Sequence, residues 1–411
     1  MGSVDAKRAF SFVDEGRILE LAKELIRVPS VTGEEREVVH RAKGLLEESG
    51  LPVELRGSEE RPMVISNVNP DASRFLVFNG HLDTVPVADR SVWTRDPFDP
   101  VVEGGRLFGR GACDMKSSCA VIIHALEILN KLGLDMAFGA QLVPDEERGG
   151  AHGTRLLLAE MDEGKLRRPD YVVIGEKSNL KVRIAERGSF GFRVRFRGRA
   201  THTAYARTEG VNAIAKASKG VLALEKTIDK YHPWIGHPVL SVNSIQAGTV
   251  PNQVPAECVI GVDRRLIIGE DADTVAAEVT EALEMAGRGD PDWRWELDMN
   301  KDENGKYVYS PPSYTAPDTG LVRAFYAAVP MALGREPELF VEWAGGTDGR
   351  FYRYAGIQTV GFGPMGEHAH GPDEFVYVDS LVSQARVYVA LALGLAKNSC
   401  LDSLGPVAKG A

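Results

Sequence analysis

Two patterns of apolar and polar positions divide this chain. Before residue 180 and after residue 300, short continuous apolar runs alternate with segments whose apolar residues recur at helical spacing, such as the run Phe75–Phe78 and the segment Cys119–Leu132. Continuous apolar runs between helices are typical of buried strands in a parallel sheet. Between residues 181 and 300, apolar and polar residues alternate strictly, as in Phe190–Phe196. This second pattern predicts half-solvated antiparallel strands.

The two patterns predict an α/β protein with two domains. Residues 1–180 and 301–411 would form a discontinuous domain around a mixed, mostly parallel sheet. Residues 181–300 would form an inserted ferredoxin-like α+β domain, because their order is β-α-β-β-α-β with one open sheet edge. A chain of 411 residues exceeds what one core usually supports, in agreement with two domains. We expect the insert to act as a lid and dimerisation domain, and we expect a strand over Phe340–Trp343.

Side chains that can bind a metal ion stand where four apolar runs end, and Asp114 stands just before the apolar segment Cys119–Leu132. In chain order they are His81, Asp83, Asp114, Asp145, Glu146, Glu147, Glu176 and His370. Imidazole and carboxylate groups suit a hard or borderline dication such as zinc. Taken alone, a His-x-Asp turn is more often a surface turn, and an acidic triplet is more often the solvated start of a helix. Four separate runs that end in this way favour a metal site at the tips of the sheet.

Composition and charge narrow the function classes. The formal net charge is −10 and no basic run stands out, so we expect no nucleic-acid binding. The four cysteines, Cys113, Cys119, Cys258 and Cys400, have the spacing of neither a disulfide framework nor a thiolate zinc site. The N-terminus lacks the apolar core of a signal peptide, and no run approaches the roughly 20 apolar residues of a membrane span. We therefore expect a cytoplasmic protein without membrane association.

Five motifs carry a family resemblance. HLDTVP, GRGACDMK, PDEE, GEKS and HGPDEFV, in this order, resemble the M20 metallopeptidase family, which includes acetylornithine deacetylase, succinyl-diaminopimelate desuccinylase, carboxypeptidase G2 and aminoacylases. The resemblance extends from about residue 15 to about residue 395. It implies two divalent metal ions, with zinc as the first choice and cobalt or manganese as alternatives. Two dications about 3.5–4 Å apart need a shared carboxylate. The motif match implies ligands for both ions: Asp114 as the bridge, His81 and Glu176 on one side, Glu147 and His370 on the other.

The resemblance also implies the residues that act beside the metals. Glu146 matches the general base, which takes a proton from water activated by the metals and passes it to the leaving amine. Asp83 matches the carboxylate that orients the imidazole of His81. His368 is the alternative to His370 as the last ligand. His370 is preferred because it matches the histidine of the family's His-x-x-x-Glu segment.

Substrate-handling residues are expected mainly in the insert. His202 matches the histidine that stabilises the tetrahedral oxyanion, often donated by the partner subunit of a dimer. Asn252 matches an asparagine of the same pocket. Arg265 matches the arginine that clamps the substrate's α-carboxylate, with Arg264 as an immediate competitor. The residues after His202 lack the proline common nearby in relatives, so this loop departs from the family pattern.

The turn Gly345–Asp348 has two interpretations. It resembles the family's glycine-rich turn near the substrate carboxylate, where Gly346 and Thr347 would donate hydrogen bonds. It also fits a tight turn in which Asp348 caps a helix.

The resemblance implies a di-metal hydrolase that cleaves the amide bond of an N-acyl amino acid, similar to acetylornithine deacetylase or succinyl-diaminopimelate desuccinylase. A dipeptidase or a glutamate-releasing carboxypeptidase of the same family is the alternative. A non-catalytic metal-binding or scaffolding homologue is the alternative of another class. The expected partners are a small N-acyl amino acid or short peptide and, through the lid domain, a second copy of the chain.

Overall fold

A computed structural model of the chain describes residues 6–341 and 345–397. The chain forms two compact units. The first unit comprises Met1–Ile184, Tyr314–Phe340 and Thr347–Ala411, and the second comprises Ala185–Ser313 and Val341–Gly346. These boundaries differ from the predicted ones at residues 180 and 300. Segment 301–313 stays with the second unit because Ser310 and Ser189 exchange backbone hydrogen bonds of 2.8 and 3.0 Å.

The helices and strands follow one another in α/β order in the first unit and in β-α-β-β-α-β order in the second. In chain order, the helices are α1 (Ala6–Phe10), α2 (Glu15–Ile26), α3 (Arg36–Glu48), α4 (Lys116–Leu132), α5 (Thr154–Asp162), α6 (Ala213–Leu224), α7 (Ala272–Gly287), α8 (Gly320–Leu333), α9 (Gly349–Tyr354) and α10 (Val378–Ala396). The strands are β1 (Glu54–Gly57), β2 (Pro62–Val68), β3 (Phe75–His81), β4 (Val101–Glu103), β5 (Arg106–Phe108), β6 (Ala137–Val143), β7 (Tyr171–Ile174), β8 (Ala185–Glu186), β9 (Gly188–Arg197), β10 (Val239–Ala247), β11 (Glu257–Leu266), β12 (Arg294–Asp298), β13 (Ser313–Tyr314), β14 (Gln358–Gly361), β15 (Gly366–Glu367) and β16 (Phe375–Tyr377).

A six-stranded sheet in the order β1-β2-β6-β3-β7-β14 forms the core of the first unit. Strands β6, β3, β7 and β14 are parallel, whereas β1 and β2 are antiparallel. Every residue of β3, β6 and β7 is buried, which explains their continuous apolar runs. The mixed, mostly parallel sheet confirms the predicted fold class. The carboxyl ends of β3, β6 and β7 lie side by side at one edge, where the metal-binding side chains follow.

Helix α10 is a core helix of the first unit. It has 19 residues, and by length and composition alone it could cross a membrane, which the sequence analysis did not anticipate. However, 72% of its most apolar window is buried inside the protein, and the helix packs against α8 and α4. Buried core helices of soluble proteins can be equally long and apolar, so this helix is only weak support for membrane insertion.

The second unit is a four-stranded antiparallel sheet in the order β10-β11-β9-β12. Helices α6 and α7 pack on one face of this sheet, around Phe196, Ile260 and Leu283. A Cβ atom at Gly220 of α6 would lie 2.3 Å from the Phe196 ring, so the glycine allows close helix–sheet approach. This order and connectivity confirm the predicted ferredoxin-like insert. One open edge was predicted, whereas this sheet has two edge strands, β10 and β12.

Two predictions include residues that lie outside the described part of the chain. The predicted strand Phe340–Trp343 is not formed at Phe340 and Val341, and Glu342 and Trp343 lie outside the described residues. Only Leu339 forms an isolated bridge, with Val182. Cys400 also lies outside them; Cys113, Cys119 and Cys258 are buried and free.

Candidate metal centre

Loops at the carboxyl edge of the six-stranded sheet bring the five predicted metal ligands together. His81 ends β3, Glu147 lies in a 3₁₀ turn after β6, and Glu176 follows β7. Asp114 stands two residues before α4, and His370 lies between β15 and β16. The parallel strands place their ends at one edge, which is why residues far apart in sequence meet here.

The carboxylate of Asp114 lies between the two histidines. Its Oδ1 is 3.0 Å from Nε2 of His81, and its Oδ2 is 3.3 Å from Nε2 of His370. Nε2 of His81 is also 3.9 Å from Oε1 of Glu176, and Nε2 of His370 is 2.9 Å from Oε1 of Glu147. Each oxygen of Asp114 therefore faces a different histidine–glutamate pair. His368, the alternative to His370, packs against the Phe375 ring.

Asp83 supports both His81 and the acidic turn. Nδ1 of His81 is 2.9 Å from the backbone oxygen of Asp83 and 3.5 Å from its carboxylate, so the backbone is the nearer partner of the imidazole. The carboxylate accepts hydrogen bonds from the backbone N–H groups of Glu146 (3.2 Å) and Glu147 (3.3 Å) and from the Thr32 hydroxyl (2.8 Å). Sequence reasoning predicted the link to His81 and missed the link to the acidic turn, which connects two neighbouring strand ends.

The charges of the cluster are mutually stabilised. Burial alone would lower the pKa of His81, but hydrogen bonds to Asp114 and Asp83 raise it well above its ordinary value. Hydrogen bonds to Asp114 and Glu147 raise the pKa of His370 to about 10. Burial opposes ionisation of Asp114, yet hydrogen bonds from His370 and His81 hold its pKa well below the ordinary range.

The donor set fits a divalent cation. Both ring nitrogens of His81 face oxygen acceptors, at 2.9 and 3.0 Å, but a neutral imidazole has only one N–H to donate. If Nδ1–H donates to the Asp83 carbonyl, the lone pair of Nε2 points at the carboxylates, as it does in a metal-binding histidine. Ligand atoms of His81, Asp114 and Glu147 lie within 4.8 Å of one another, as do those of His81, Glu146 and Glu176. A cation bound between Nε2 of His81 and the carboxylates would take the place of the proton that Nε2 otherwise needs to face these oxygens.

Metal binding should therefore release protons. Because the pKa of His370 is about 10 in the metal-free cluster, its ring is protonated at pH 7–9 and must lose that proton to bind a cation. For one proton, affinity should fall about tenfold per pH unit below 10. Calorimetric zinc titrations at pH 7 and pH 8, in buffers of different ionisation enthalpy, measure the released protons. His370→Asn should release fewer protons and His368→Asn the same number; equal proton counts in all three proteins would contradict the assignment.

Glu146 lies beside the predicted metal ligands and is suited to hold a proton. Burial and the charge of Glu176 raise the pKa of its carboxyl well above the ordinary value. The charge of Asp348 acts in the same direction. A raised pKa makes the carboxylate a stronger base, which favours transfer of a proton to it from water.

Four of the predicted substrate-handling residues lie in the second unit. His202 and Asn252 are exposed there, and Nδ1 of His202 accepts the Ala204 N–H at 3.2 Å. Arg265 is partly exposed and pairs with Asp263 at 2.8 Å. Its competitor is fully buried: Arg264 donates to Glu270 and Glu278 at 2.8 and 3.1 Å. The fourth residue, Gly346, falls in this unit.

Thr347 belongs to the first unit and is fully buried. Its hydroxyl accepts the Gly349 N–H at 3.1 Å at the start of α9. Asp348 stands at the cap position of this helix but makes no side-chain cap hydrogen bond. The expectation that Asp348 caps the helix is therefore wrong; the preceding threonine supplies that bond.

Sequence reasoning missed Arg187. This residue is in the second unit, where Nε donates to the backbone oxygen of Ile235 at 3.2 Å. Burial and the neighbouring charge of Arg265 lower the pKa of its guanidinium. Two neighbouring guanidinium groups have the charge and the donor geometry that suit carboxylates. Nothing in the spacing of 187 and 265 signals this pairing, because only strand pairing brings β9 and β11 together.

Comparison with known proteins agrees with this geometry. The sequence profile of peptidase family M20/M25/M40 matches residues 77–394. The succinyl-diaminopimelate desuccinylase of Marinobacter nauticus is 30% identical over 387 residues, covering 92% of this chain and 98% of that protein. The enzyme of the same name from Rhodospirillum centenum is 30% identical over 385 residues, covering 90% and 95%.

Solved structures share the fold at lower identity. Aminopeptidase PepT from Bacillus cereus has a TM-score of 0.75 at 20% identity, over 94% of this chain and 100% of that one. Human carnosine dipeptidase 1 has a TM-score of 0.72 at 17% identity, over 95% and 99%. A dinuclear metal-binding peptidase of the M20 family from Bacillus subtilis has a TM-score of 0.68 at 20% identity, over 94% and 99%.

A cluster of histidines and carboxylates at the strand ends of an α/β sheet, joined to a ferredoxin-like insert, defines a class of metal-binding hydrolase. The chain belongs to peptidase family M20/M25/M40. It is a hydrolase that acts on amide bonds and has a metal-binding site.

Proposed function

We propose that this protein is a di-metal hydrolase that removes a succinyl group from an N-succinyl amino acid of the diaminopimelate type. The placement of Asp114 is the main support for two metal ions. Its Oδ1 lies 3.0 Å from Nε2 of His81 and its Oδ2 lies 3.3 Å from Nε2 of His370, so each oxygen faces a different histidine–glutamate pair. The similarity to desuccinylases over nearly the whole chain supports the acyl group.

Two metal ions fit the donor set, and zinc is the first choice because nitrogen and oxygen ligands suit it, with cobalt or manganese as alternatives. Asp114 would be shared, His81 and Glu176 would hold one ion, and Glu147 and His370 the other. When bound, the ions would polarise the amide carbonyl and make water acidic.

The chain's own residues would then handle the proton. Glu146 would accept a proton on a carboxylate oxygen as water forms the new C–O bond. The same oxygen would deliver that proton to the amine when the C–N bond breaks, so one residue serves as base and then as acid. Asp83 would keep this turn in place through its bonds to the backbone N–H groups of Glu146 and Glu147.

Arg187 and Arg265 suit the carboxylates of such a substrate. Replacing either by methionine should lower kcat/KM for the succinylated substrate roughly 10–100-fold, because a charged hydrogen bond contributes about 1.5–3 kcal/mol. Arg197→Met is a matched control, since Arg197 pairs with Glu257 and Glu296 on the sheet surface. Steady-state kinetics on the N-succinyl and N-acetyl forms of one amino acid measure this effect. An equal loss of kcat/KM in all three variants would show that Arg187 and Arg265 do not bind the substrate.

A homodimer through the second unit is part of the proposal. Strand β10 has a free edge, and Leu222 on α6 is 75% exposed. The exposed His202 could then stabilise the oxyanion in its own subunit or in the partner, together with Asn252. We also propose that the enzyme works in the cytoplasm. Analytical ultracentrifugation tests the proposed dimer. A monomer at all protein concentrations would contradict it.

A substrate panel tests the function as a whole. N-succinyl-diaminopimelate, N-acetylornithine, other N-acetyl amino acids and dipeptides would be assayed with metal-free, zinc-loaded and cobalt-loaded protein. We expect metal-dependent release of succinate from the first compound. Turnover of dipeptides alone would identify the alternative peptidase function, and binding of metal without turnover of any compound would argue for a non-catalytic homologue.

A further inference from the structure

Glu374 is a buried carboxylate beside the metal centre whose role the motifs do not state. It directly precedes β16 and follows His370 in the segment HGPDE. Its side chain is fully buried, and burial raises the pKa of its carboxyl while the charge of Arg110 and hydrogen bonds from backbone N–H groups oppose that rise. A buried carboxylate is costly unless its oxygens are hydrogen-bonded.

Both carboxylate oxygens of Glu374 accept hydrogen bonds from one turn of the chain, residues 110–114. Oε1 accepts the backbone N–H groups of Cys113 (2.8 Å) and Asp114 (2.9 Å). Oε2 accepts the backbone N–H of Gly111 (3.0 Å) and Nη1 of Arg110 (2.7 Å). A carboxylate has about four lone-pair sites. With these four donors in place, Glu374 holds the turn that presents Asp114 rather than binding a cation itself.

Arg110 extends this connection to the segment of His370. Its Nη2 donates to the backbone oxygen of His370 at 3.2 Å, and its guanidinium stacks 5.1 Å from the Trp93 ring. The backbone adds a further link, because the Gly109 N–H donates to the backbone oxygen of Glu374 at 3.0 Å. Arg110 is only 2% exposed. The pair therefore joins the two chain segments that supply Asp114 and His370.

The two predicted metal positions depend on this connection to different degrees. His81 ends β3 and Glu176 follows β7, and these strands are neighbours in the sheet with continuous parallel pairing. Their relative position is set by the sheet. Asp114 and His370 stand on loops; His370 has a φ of 65° and a side chain that is 51% exposed. The antiparallel pairing of β5 with β16 ends at Phe108 and Phe375, before it reaches either residue. The hydrogen bonds of Glu374 and Arg110 continue the connection from there toward Asp114 and His370, which lie 3.3 Å apart.

We propose that Glu374, with Arg110, is a positioning residue that sets the separation of Asp114 and His370 and thereby the affinity for the second metal ion. This inference rests on the proposed two-metal function. It assigns Glu374 no contact with substrate or metal.

Glu374→Gln tests the inference in the full-length protein. The amide keeps the shape, but its NH₂ group must face two donors whichever oxygen it replaces, so two of the four hydrogen bonds are lost. In zinc titrations the first equivalent should bind as in the wild type, and the second should bind roughly 10–100-fold more weakly, as for other residues that orient metal ligands. In the cobalt-loaded protein, the absorption change caused by the second equivalent should be altered. With saturating metal, kcat should fall while KM stays unchanged.

Glu127→Gln is the matched control. Glu127 is also a largely buried carboxylate with an arginine partner, at 2.9 Å from Arg17, and it accepts from Ser49. Its loss should lower the melting temperature and leave both zinc affinities unchanged. Should Glu374→Gln fail to fold, Arg110→Lys takes its place, because it keeps the charge and the three backbone bonds but loses the link to His370; a weaker second zinc site is again expected.

Each result has one meaning. A wild-type protein that binds fewer than two zinc ions contradicts the proposed two-metal function. If the wild type binds two, unchanged zinc affinities and an unchanged cobalt spectrum in the variant overturn the role of Glu374. Equal weakening of both equivalents also overturns it, since Glu374 would then support Asp114 alone.

Discussion

Replacing Glu146 by glutamine should reduce kcat roughly 10²–10⁴-fold, the range that general acid–base catalysis supplies. The amide has nearly the same shape but cannot take a proton from water or return it to the leaving amine. Glu146 is beside the predicted ligands, and its carboxyl has a raised pKa because of burial and the charge of Glu176. We therefore expect the loss to appear in kcat, with both equivalents of zinc still bound.

The measurement is a single-turnover assay with zinc-loaded protein, beside a zinc titration of the same sample. Glu163→Gln makes the same chemical change at the exposed end of α5, where Glu163 pairs with Lys165, and it should keep wild-type activity. Residual activity within about tenfold of wild type would assign the proton transfer to another residue. Loss of metal together with activity would make Glu146 a ligand instead.

Asp114→Asn should have the largest effect on metal binding. Residues that merely orient ligands change metal affinity about 10–100-fold, and Asp114 faces both histidines with separate oxygens. The asparagine has one oxygen and no charge, so it cannot serve two cations or balance His81 and His370. We expect both zinc equivalents to weaken by more than about 100-fold, with loss of turnover at micromolar metal.

Asp170→Asn is the control for this change. Asp170 is a structural residue: its carboxylate accepts the Phe75 N–H at 2.8 Å at the start of β3. Its replacement should lower thermal stability without altering metal affinity. If Asp114→Asn weakened only one zinc equivalent, the shared position of Asp114 would be wrong, and each ion would have its own carboxylates.

Much of the fold could be predicted because local pattern and tertiary environment agree. The apolar run Phe75–Phe78 lies within strand β3, and the segment Cys119–Leu132 lies within helix α4. Both are bounded by turn formers and have the periodicity of their element. The boundary of the second unit could not be predicted, because it depends on the pairing of Ser189 with Ser310, which are distant in sequence.

The sequence by itself determined the two-unit architecture, the α/β class and the set of residues that meet at the sheet edge. It could do so because buried parallel strands need continuous apolar runs, and because the polar residues that follow parallel strands meet at the carboxyl edge of the sheet. The ordered motifs then selected His81, Asp114, Glu147, Glu176 and His370 from the acids and histidines of the chain.

The tertiary structure alone decided which partner each polar group has. Arg264 and Arg265 are adjacent and chemically identical, yet strand alternation buries the first and leaves the second partly exposed. Glu374 and Arg110 form a contact across 264 residues of sequence. Such contacts depend on hydrogen-bond geometry between loops, which has no periodicity along the chain, and so only the folded arrangement could reveal them.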